Sequence, residues 1–202
     1  SIDNWGTNQW GDMFYAFGGC TNLIGTYTDN PDASLCNNFT RCFDGCSNFN
    51  SPLTLDMSSC LTTAFMFAGC LSFNSELTFT NASNITAMNH MFYGSTSFNS
   101  ALNIDDTSGV TTMALMFYGC TIFDQDISGF NISSLTSGNS MFRYSGWGNT
   151  NYDLLLVGWQ GQTHNNSVAF HAGNAKYSSG APATARAGLI TDLWTITDGG
   201  AV

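Results

Sequence analysis

Two stretches of the chain, MFYGSTSFNS at residues 91–100 and MFYGCTIFDQ at residues 116–125, lie 25 residues apart and are nearly identical. Aligning the chain on the phenylalanine of each stretch extends the match in both directions. This anchor phenylalanine recurs at gaps of 26, 24, 25, 25 and 25 residues: Phe17, Phe43, Phe67, Phe92, Phe117 and Phe142. Self-similarity at a fixed period predicts one structural unit stacked on copies of itself.

Other positions of the repeat hold one kind of residue in nearly every copy. The third residue after each anchor is a cysteine or a serine: Cys20, Cys46, Cys70, Ser95, Cys120 and Ser145. The sixth is apolar except at Gly148: Leu23, Phe49, Phe73, Phe98 and Phe123. The seventh is polar after the first copy: Asn50, Asn74, Asn99, Asp124 and Asn149. Stacking predicts buried ladders of phenylalanine, with each asparagine as a buried amide that bonds to the backbone of a neighbouring turn.

Each repeat contains two periodicities. In VTTMALMF (110–117) the apolar residues recur at helical spacing, which predicts a short helical turn. In FNSALNI (98–104) they end in alternation, which predicts a short strand. Each repeat would contain one short helical or irregular segment around the anchor, which we call the leg, and one short strand. This combination predicts an α/β repeat fold. We expect a leucine-rich-repeat-like solenoid of about five to six coils with a short parallel sheet.

The repeat predicts two regions, because a stack of coils needs covered ends. Residues 1–149 would form the repeat array, with Trp5 and Trp10 covering its N-terminal edge. Residues 150–202 would form a mixed α/β cap fused to the same core. Within that cap the patterns predict helices at 151–159 and 183–192, a strand at 168–173, and a closing strand in LWTITDGG.

The seven cysteines occupy positions that elsewhere hold serine, methionine or aliphatic residues, so we interpret them first as small core hydrophobes. The third position after the anchor then selects for size and not for chemistry. Same-position cysteines of neighbouring coils also fall at disulfide-compatible spacing. Three bridges therefore stay open as alternatives: Cys36–Cys60, and either Cys20–Cys46 or Cys46–Cys70. The chain has no CxxC pair, which argues against a zinc site.

The pattern MFxxCxxFNxxL…SxVTxM resembles a bacterial surface-protein repeat of about 25–26 residues, the DUF285 domain of mycoplasma and Listeria lipoproteins. That family is similar to the BspA-type leucine-rich repeats. The opening NWGTNQW and the ending FHAGNAKYSSGAPATARAGLI…WTITDGG resemble the ends of arrays in surface proteins of marine Bacteroidetes. The resemblance implies a cell-surface or secreted protein with a role in adhesion or binding. The tryptophan often found thirteen residues after the family's anchor is missing: Asp56, Thr80, Asp105 and Phe130 stand there.

The composition excludes some classes of binding partner and indicates the compartment of the protein. Of 202 residues only 9% are charged, yet the net charge is −10, from 14 acidic and 4 basic residues. Nucleic acids and anionic membranes are therefore poor partners. No apolar run reaches the ~18 residues of a membrane span. Low charge with abundant small polar residues is typical of extracellular proteins, so we expect a mature form or a fragment of a larger surface protein.

No set of residues marks an enzyme. The three histidines, His90, His164 and His171, accompany no recognisable nucleophile and orienting acid, and no phosphate-binding glycine loop is present. We therefore predict a non-enzymatic protein that needs no cofactor. Calcium is the one exception that we consider, because carboxylates in adjacent coils can converge on a hard cation. Its ligands would be Asp105, Asp106, Asp124 and Asp126, although solvated acidic turns are the simpler interpretation.

The strands predict an exposed face of short polar side chains. Its outward residues would be Thr54, Thr78, Asn103 and Ser128, flanked by Glu76, Asp126 and Phe130. Such a row can hydrogen-bond a glycan or a protein ligand. We therefore expect an adhesion or ligand-binding module of a larger extracellular protein. The alternative is a structural subunit of a surface layer, appendage or filament, which open sheet edges at the ends would favour and covered ends would not.

Overall fold

The computed structural model describes all residues, 1–202, and forms a small α/β protein with two short parallel sheets and two α-helices. The first sheet has the order β1-β2-β3 and the second the order β4-β5-β6. The elements are β1 (Leu53–Asp56), β2 (Leu77–Thr80), a 3-10 turn (Ala82–Asn84), β3 (Leu102–Ile104), β4 (Ser137–Gly138), α1 (Asn149–Gln160), β5 (Ala169–His171), α2 (Ala181–Thr191) and β6 (Thr195–Thr197).

The first sheet pairs equivalent positions of three successive repeats. Leu53 is opposite Leu77, which is opposite Leu102, and the next two residues of each strand stay in the same register. The leucine of each strand faces the core and the next residue faces outward, as the alternation predicted. Only residues 102–104 of the predicted strand 98–104 are in β conformation.

A second line of parallel pairing joins the repeats just before their anchors. Single bridges connect Asn38, Thr62, Ala87, Thr112 and Ser137 in order, and the last of these belongs to β4. From there β4 pairs with β5 and β5 with β6. The stacking therefore continues past Phe142, where the sequence pattern breaks down.

The leg around each anchor is not helical, contrary to one of the two predictions for it. Its alternate N–H groups have different partners: Met116 N–H donates to the carbonyl of Met113 in the same repeat, whereas Phe117 N–H donates to Met141 in the next. A helix would need all of these groups for its own i→i−4 bonds. The leg is instead a run of tight turns, bonded on one side to its neighbour, and the apolar spacing reflects burial in those turns.

Two interleaved aromatic ladders fill the core. The rings of Phe67 and Phe92 are 5.7 Å apart at an interplanar angle of 6°, and those of Phe73 and Phe98 are 5.8 Å apart at 9°. In the sixth repeat Gly148 stands where the second ladder needs an aromatic residue. Trp147 takes that place and stacks on Phe142 at 3.8 Å. Trp147 therefore makes the contact within its repeat that Phe123 makes with Phe117 in the fifth repeat, at 4.0 Å.

The two ends of the ladders meet different structures. At the N-terminal end Trp5 is 5% exposed and packs edge-on against Phe17, with Trp10 beside it. At the other end α1 and α2 pack together, and α1 buries four residues: Tyr152, Leu155, Leu156 and Trp159. The predicted helices and strands of residues 150–202 are confirmed within two residues at their starts and ends, and α1 begins one residue before the predicted boundary.

All seven cysteines are free thiols, so the bridges Cys36–Cys60, Cys20–Cys46 and Cys46–Cys70 are absent. Six of the seven are buried and only Cys20 is exposed. The third position after the anchor has a hydrogen-bonding role in place of a covalent one. The Sγ atoms of Cys46, Cys70 and Cys120 each donate to the carbonyl of the preceding repeat's anchor, at 3.0 Å. The prediction that this position selects only for size was therefore wrong.

The asparagine column bonds to backbone as predicted, but from the surface. The side-chain oxygen of Asn50 accepts from Asn74 N–H, and that of Asn74 accepts from Asn99 N–H, both at 2.8 Å. Asn50 and Asn74 are exposed and Asn99 is half-buried, so these amides are not part of the core. Each one holds the turn of the following repeat in place.

Candidate ligand-binding face

The outward side of the first sheet, which we call the outer sheet face, carries one short polar side chain from each strand. Thr54, Thr78 and Asn103 lie side by side in the parallel register. Thr54 and Asn103 are exposed and Thr78 is half-buried. The three predicted residues are thus brought together as a row.

A hydrogen-bond network orders this row at its β3 end. The amide nitrogen of Asn103 donates to Glu76 Oε1 at 3.0 Å and to Thr78 Oγ1 at 3.5 Å. Both bonds use the amide nitrogen, so the carbonyl oxygen of the same side chain stays free to accept. A shallow depression of about 400 Å³ lies here, lined by Thr78, Phe79, Thr80, Leu102, Asn103, Ile104 and Asp105.

A second depression, of about 190 Å³, lies at the β1 end of the row. It is lined by Tyr27, Thr28, Asp29, Asn30, Pro52 and Thr54. Tyr27 donates its hydroxyl to the Pro52 carbonyl at 2.9 Å, and burial raises the pKa of this phenol far above its ordinary value. The sequence prediction missed this depression, although Tyr27 lies ten residues after its anchor, where Leu53 stands in the next repeat.

Ser128 and Phe130 do not belong to the outer sheet face. Helix α1 packs over this part of the fifth repeat, because Gly158 leaves room for the backbone of Ser128: a Cβ on the glycine would lie 2.8 Å from that carbonyl. The side chain of Gln162 donates to the carbonyls of Ser128 and Phe130. Phe130 is 7% exposed and joins the core. The predicted face therefore ends at Asn103.

The four predicted calcium ligands are bonded to different backbone N–H groups. Asp105 accepts from Asn81 N–H and Ala82 N–H. The other three each accept from one backbone N–H group: Asp106 from Ser108, Asp126 from Ser128, and Asp124 from Gly148. Asp124 also accepts from the side-chain amide of Asn151. No three histidine, cysteine or acidic side chains lie close enough to hold a metal ion. The carboxylates are thus turn caps, and the structure does not gather them into a site.

The three histidines are in three unrelated environments. The ring of His90 stacks on Phe65 at 4.1 Å, and burial, with the charge of Arg41 second, lowers the pKa of His90. His164 bridges the Gln162 carbonyl and Asp192, and His171 Nδ1 accepts from Gly173 N–H. None of these contacts involves a serine or cysteine side chain.

Comparison with known proteins identifies a family but no function. The model of the family described as "Mycoplasma protein of unknown function, DUF285" matches residues 1–82 and again residues 62–178. None of the curated proteins matches the chain, and no solved structure matches it. No helix has both the length and the apolar character that crossing a membrane requires.

Proposed function

The chain belongs to this DUF285 family, and we propose that it is a non-enzymatic module that binds ligands at a cell surface, as part of a larger extracellular protein. In this proposal the stacked repeats form a leucine-rich-repeat-like solenoid related to the BspA-type repeats and to surface proteins of marine Bacteroidetes. Adhesion, through a glycan or a protein ligand, is the role that such a module would serve.

The proposal rests on the arrangement of polar side chains on the outer sheet face. Three polar side chains lie in parallel register and line two depressions, and two of the three are exposed. The row offers hydroxyls and an amide, which are the groups that recognise sugar hydroxyls or peptide backbones. The rigid sheet beneath it holds these groups at fixed spacing, which lowers the entropic cost of binding.

The test is a screen of the full chain against arrays of defined glycans and purified extracellular proteins, followed by two matched variants. Thr54→Tyr places a bulky neutral side chain on the face, and Thr150→Tyr places the same side chain on an exposed position of α1. We expect ligands to bind the wild type and Thr150→Tyr and to be lost with Thr54→Tyr. A screen without ligands, or equal loss in both variants, would refute the proposal.

The alternative, a subunit of a surface layer or filament, is favoured by a different observation. Strand β6 is the edge of the second sheet. Thr195 and Thr197 exchange backbone bonds with residues 168–172, so Ile196 directs its N–H and carbonyl away from β5. Leu193 beside this edge is 65% exposed. An open edge of this kind can pair with another chain.

Light scattering separates the two functions, because a monomer has a mass of 21.7 kDa. Ile196→Pro would remove the outward N–H, which has no partner within the protein, and would also replace a half-buried side chain that packs against the core. If assemblies larger than the monomer form through β6, this variant should dissociate them. A monomeric wild type would contradict assembly and leave the binding module as the function.

A further inference from the structure

A second surface of the chain is unusually rich in exposed aromatic side chains. It consists of the legs around the six anchors, and we call it the aromatic ledge: residues 14–19, 40–45, 64–69, 89–94, 114–119 and 139–144. Every large aromatic side chain that is exposed in the protein lies on it: Phe14, Tyr15, Tyr93 and Tyr144. Contiguous exposed apolar groups on a soluble domain commonly mark a binding surface.

The exposed rings are ordered by contacts between successive repeats. Tyr93 and Tyr118 stack at 4.8 Å with an interplanar angle of 7°, and Tyr118 meets Tyr144 edge-on at 5.2 Å. The guanidinium of Arg143 lies 4.9 Å from the centre of the Tyr144 ring. Near the other end Arg41 lies 4.4 Å from the centre of the Phe65 ring. From Phe65 to Tyr144 the ledge is therefore a preformed row of rings, with Arg41 at one end and Arg143 at the other.

Several side chains of the ledge project from a strained backbone. The second residue before each anchor has a left-handed backbone, with φ between 52° and 59°: Tyr15, Arg41, Phe65, His90, Leu115 and Ser140. None is glycine, although a left-handed backbone costs other residues about 1–2 kcal/mol. The second residue after the anchor is also left-handed, and there five of the six repeats do have glycine. The sixth has Tyr144, at a φ of 62°.

Charge is segregated between the ledge and the remainder of the protein. The ledge segments contain two arginines, Arg41 and Arg143, and one acid, Asp44, which gives a net charge of +1. The whole chain carries −10, so the remaining residues carry −11. Arg41 is paired with Asp44, whereas Arg143 is exposed and has no acidic partner. The ledge is thus the part of the surface where an anionic ligand meets least repulsion.

We propose that the aromatic ledge binds a linear polysaccharide of uronic acids. The last three repeats present the tyrosine rings of Tyr93, Tyr118 and Tyr144, with successive centres 4.8 Å and 5.2 Å apart, and Arg143 lies beside the last of them. Carboxylates pair with the planar guanidinium in a bidentate geometry. The C–H faces of the sugars pack against Tyr144, which is 57% exposed, because Tyr118 is half-buried and one face of its ring is stacked on Tyr93. The ledge is separate from the outer sheet face, so the two sites succeed or fail independently.

The experiment measures binding of the full chain to polygalacturonate by calorimetry at low salt. Arg143→Gln and Lys176→Gln each remove one exposed positive charge, the first on the ledge and the second outside it. We expect affinity to fall about tenfold in Arg143→Gln, as for the loss of one charge-assisted pair, and to be nearly unchanged in Lys176→Gln. Equal losses in the two variants would indicate non-specific attraction and overturn the proposal.

Two further arms test the role of the rings and the class of ligand. Tyr144→Gly restores the residue found at this left-handed position in the other repeats, so the fold should persist while affinity falls. Polyglutamate offers carboxylates without sugars and should bind much more weakly than polygalacturonate. If polyglutamate binds as tightly as polygalacturonate, the ligand is an acidic peptide and the sugar assignment is wrong. If the wild type does not bind polygalacturonate, the proposed site is wrong. Thr54→Tyr should leave polygalacturonate binding unchanged.

Discussion

The hydroxyl of Ser95 donates a hydrogen bond to the carbonyl oxygen of Phe67 at 2.6 Å, with the phenylalanine in the preceding repeat. Cysteine thiols make the same bond in the second, third and fifth repeats. Ser95 also accepts from the N–H of Cys70 at 3.1 Å, so it links two repeats in both directions. Serine and cysteine both suit this position because each is a small donor, and Ser145 donates to the anchor of its own repeat, Phe142.

Removal of that donor should destabilise the protein. Ser95 is fully buried, and Ser95→Ala removes two short bonds, which leaves the Cys70 N–H and the Phe67 carbonyl only the longer bond of 3.3 Å between them. Loss of a buried hydrogen bond costs about 1 kcal/mol. Ser95→Cys keeps a donor of the kind used in the other repeats and should cost less than Ser95→Ala. Urea unfolding of the three proteins measures this difference. Equal free energies of unfolding for wild type and Ser95→Ala would show that this position requires only a small residue and not a donor.

The surface ladder of asparagines predicts a second pair of variants. Asn74 Oδ1 accepts from Asn99 N–H and lies beside the Ser100 hydroxyl. Asn74→Ala removes this acceptor and should lower the free energy of unfolding by about 1 kcal/mol. Asn74→Asp keeps the acceptor, as Asp124 does naturally in the fifth repeat, and should be closer to wild type. A ranking with Asp less stable than Ala would show that charge outweighs the bond.

The free thiols predict a simple labelling experiment. Burial raises the pKa of Cys46, Cys60 and Cys120 to about 12, so these thiols stay protonated and unreactive at neutral pH. We expect an alkylating reagent to modify one cysteine quickly in the native protein, the exposed Cys20, and seven after denaturation without reductant. Cys20→Ser should abolish the fast reaction. Fewer than seven reactive thiols in the denatured protein would reveal a disulfide.

An ion pair in the C-terminal region predicts sensitivity to acid. Arg186 Nε donates to Asp198 Oδ2 at 2.6 Å, and the hydroxyl of Tyr152 donates to the same carboxylate. Burial raises the pKa of Asp198, but the bonds from Arg186 and Tyr152 outweigh it and leave the pKa below its ordinary value. The carboxylate therefore stabilises the fold fully above about pH 4, the unfolded pKa of aspartate, and loses this contribution as pH falls through the lowered pKa.

Thermal unfolding between pH 7 and pH 2 tests this group through two variants. Asp198→Asn should be less stable than wild type at neutral pH, and the difference should shrink as the pH falls below about 4. Arg186→Met leaves the carboxylate without its cation, and breaking such a pair costs about 3 kcal/mol. A stability difference that does not change with pH would show that folding leaves the pKa of Asp198 unshifted, and a difference that grows as the pH falls would show that the pKa is raised.

The repeat itself was readable from the chain because equivalent residues of a stack contact one another in every copy. The anchor phenylalanines, the leucines of β1 to β3 and the asparagines all lie where a period of about 25 residues places them. The outward row at Thr54, Thr78 and Asn103 resulted from the same register and the alternation of a strand.

Tertiary structure decided which surfaces the non-repeating segments cover and how the backbone turns between the columns. Helix α1 buries Phe130, and Trp147 replaces a ring that the period assigned to Gly148. The left-handed residues of the aromatic ledge, such as Phe65 and His90, looked like part of a helical leg. A periodic pattern reports which residues are neighbours within the stack. The exposure of a residue depends on distant segments that pack against the stack. The handedness of its backbone depends on hydrogen bonds between repeats. The residue types at one position of the repeat encode neither.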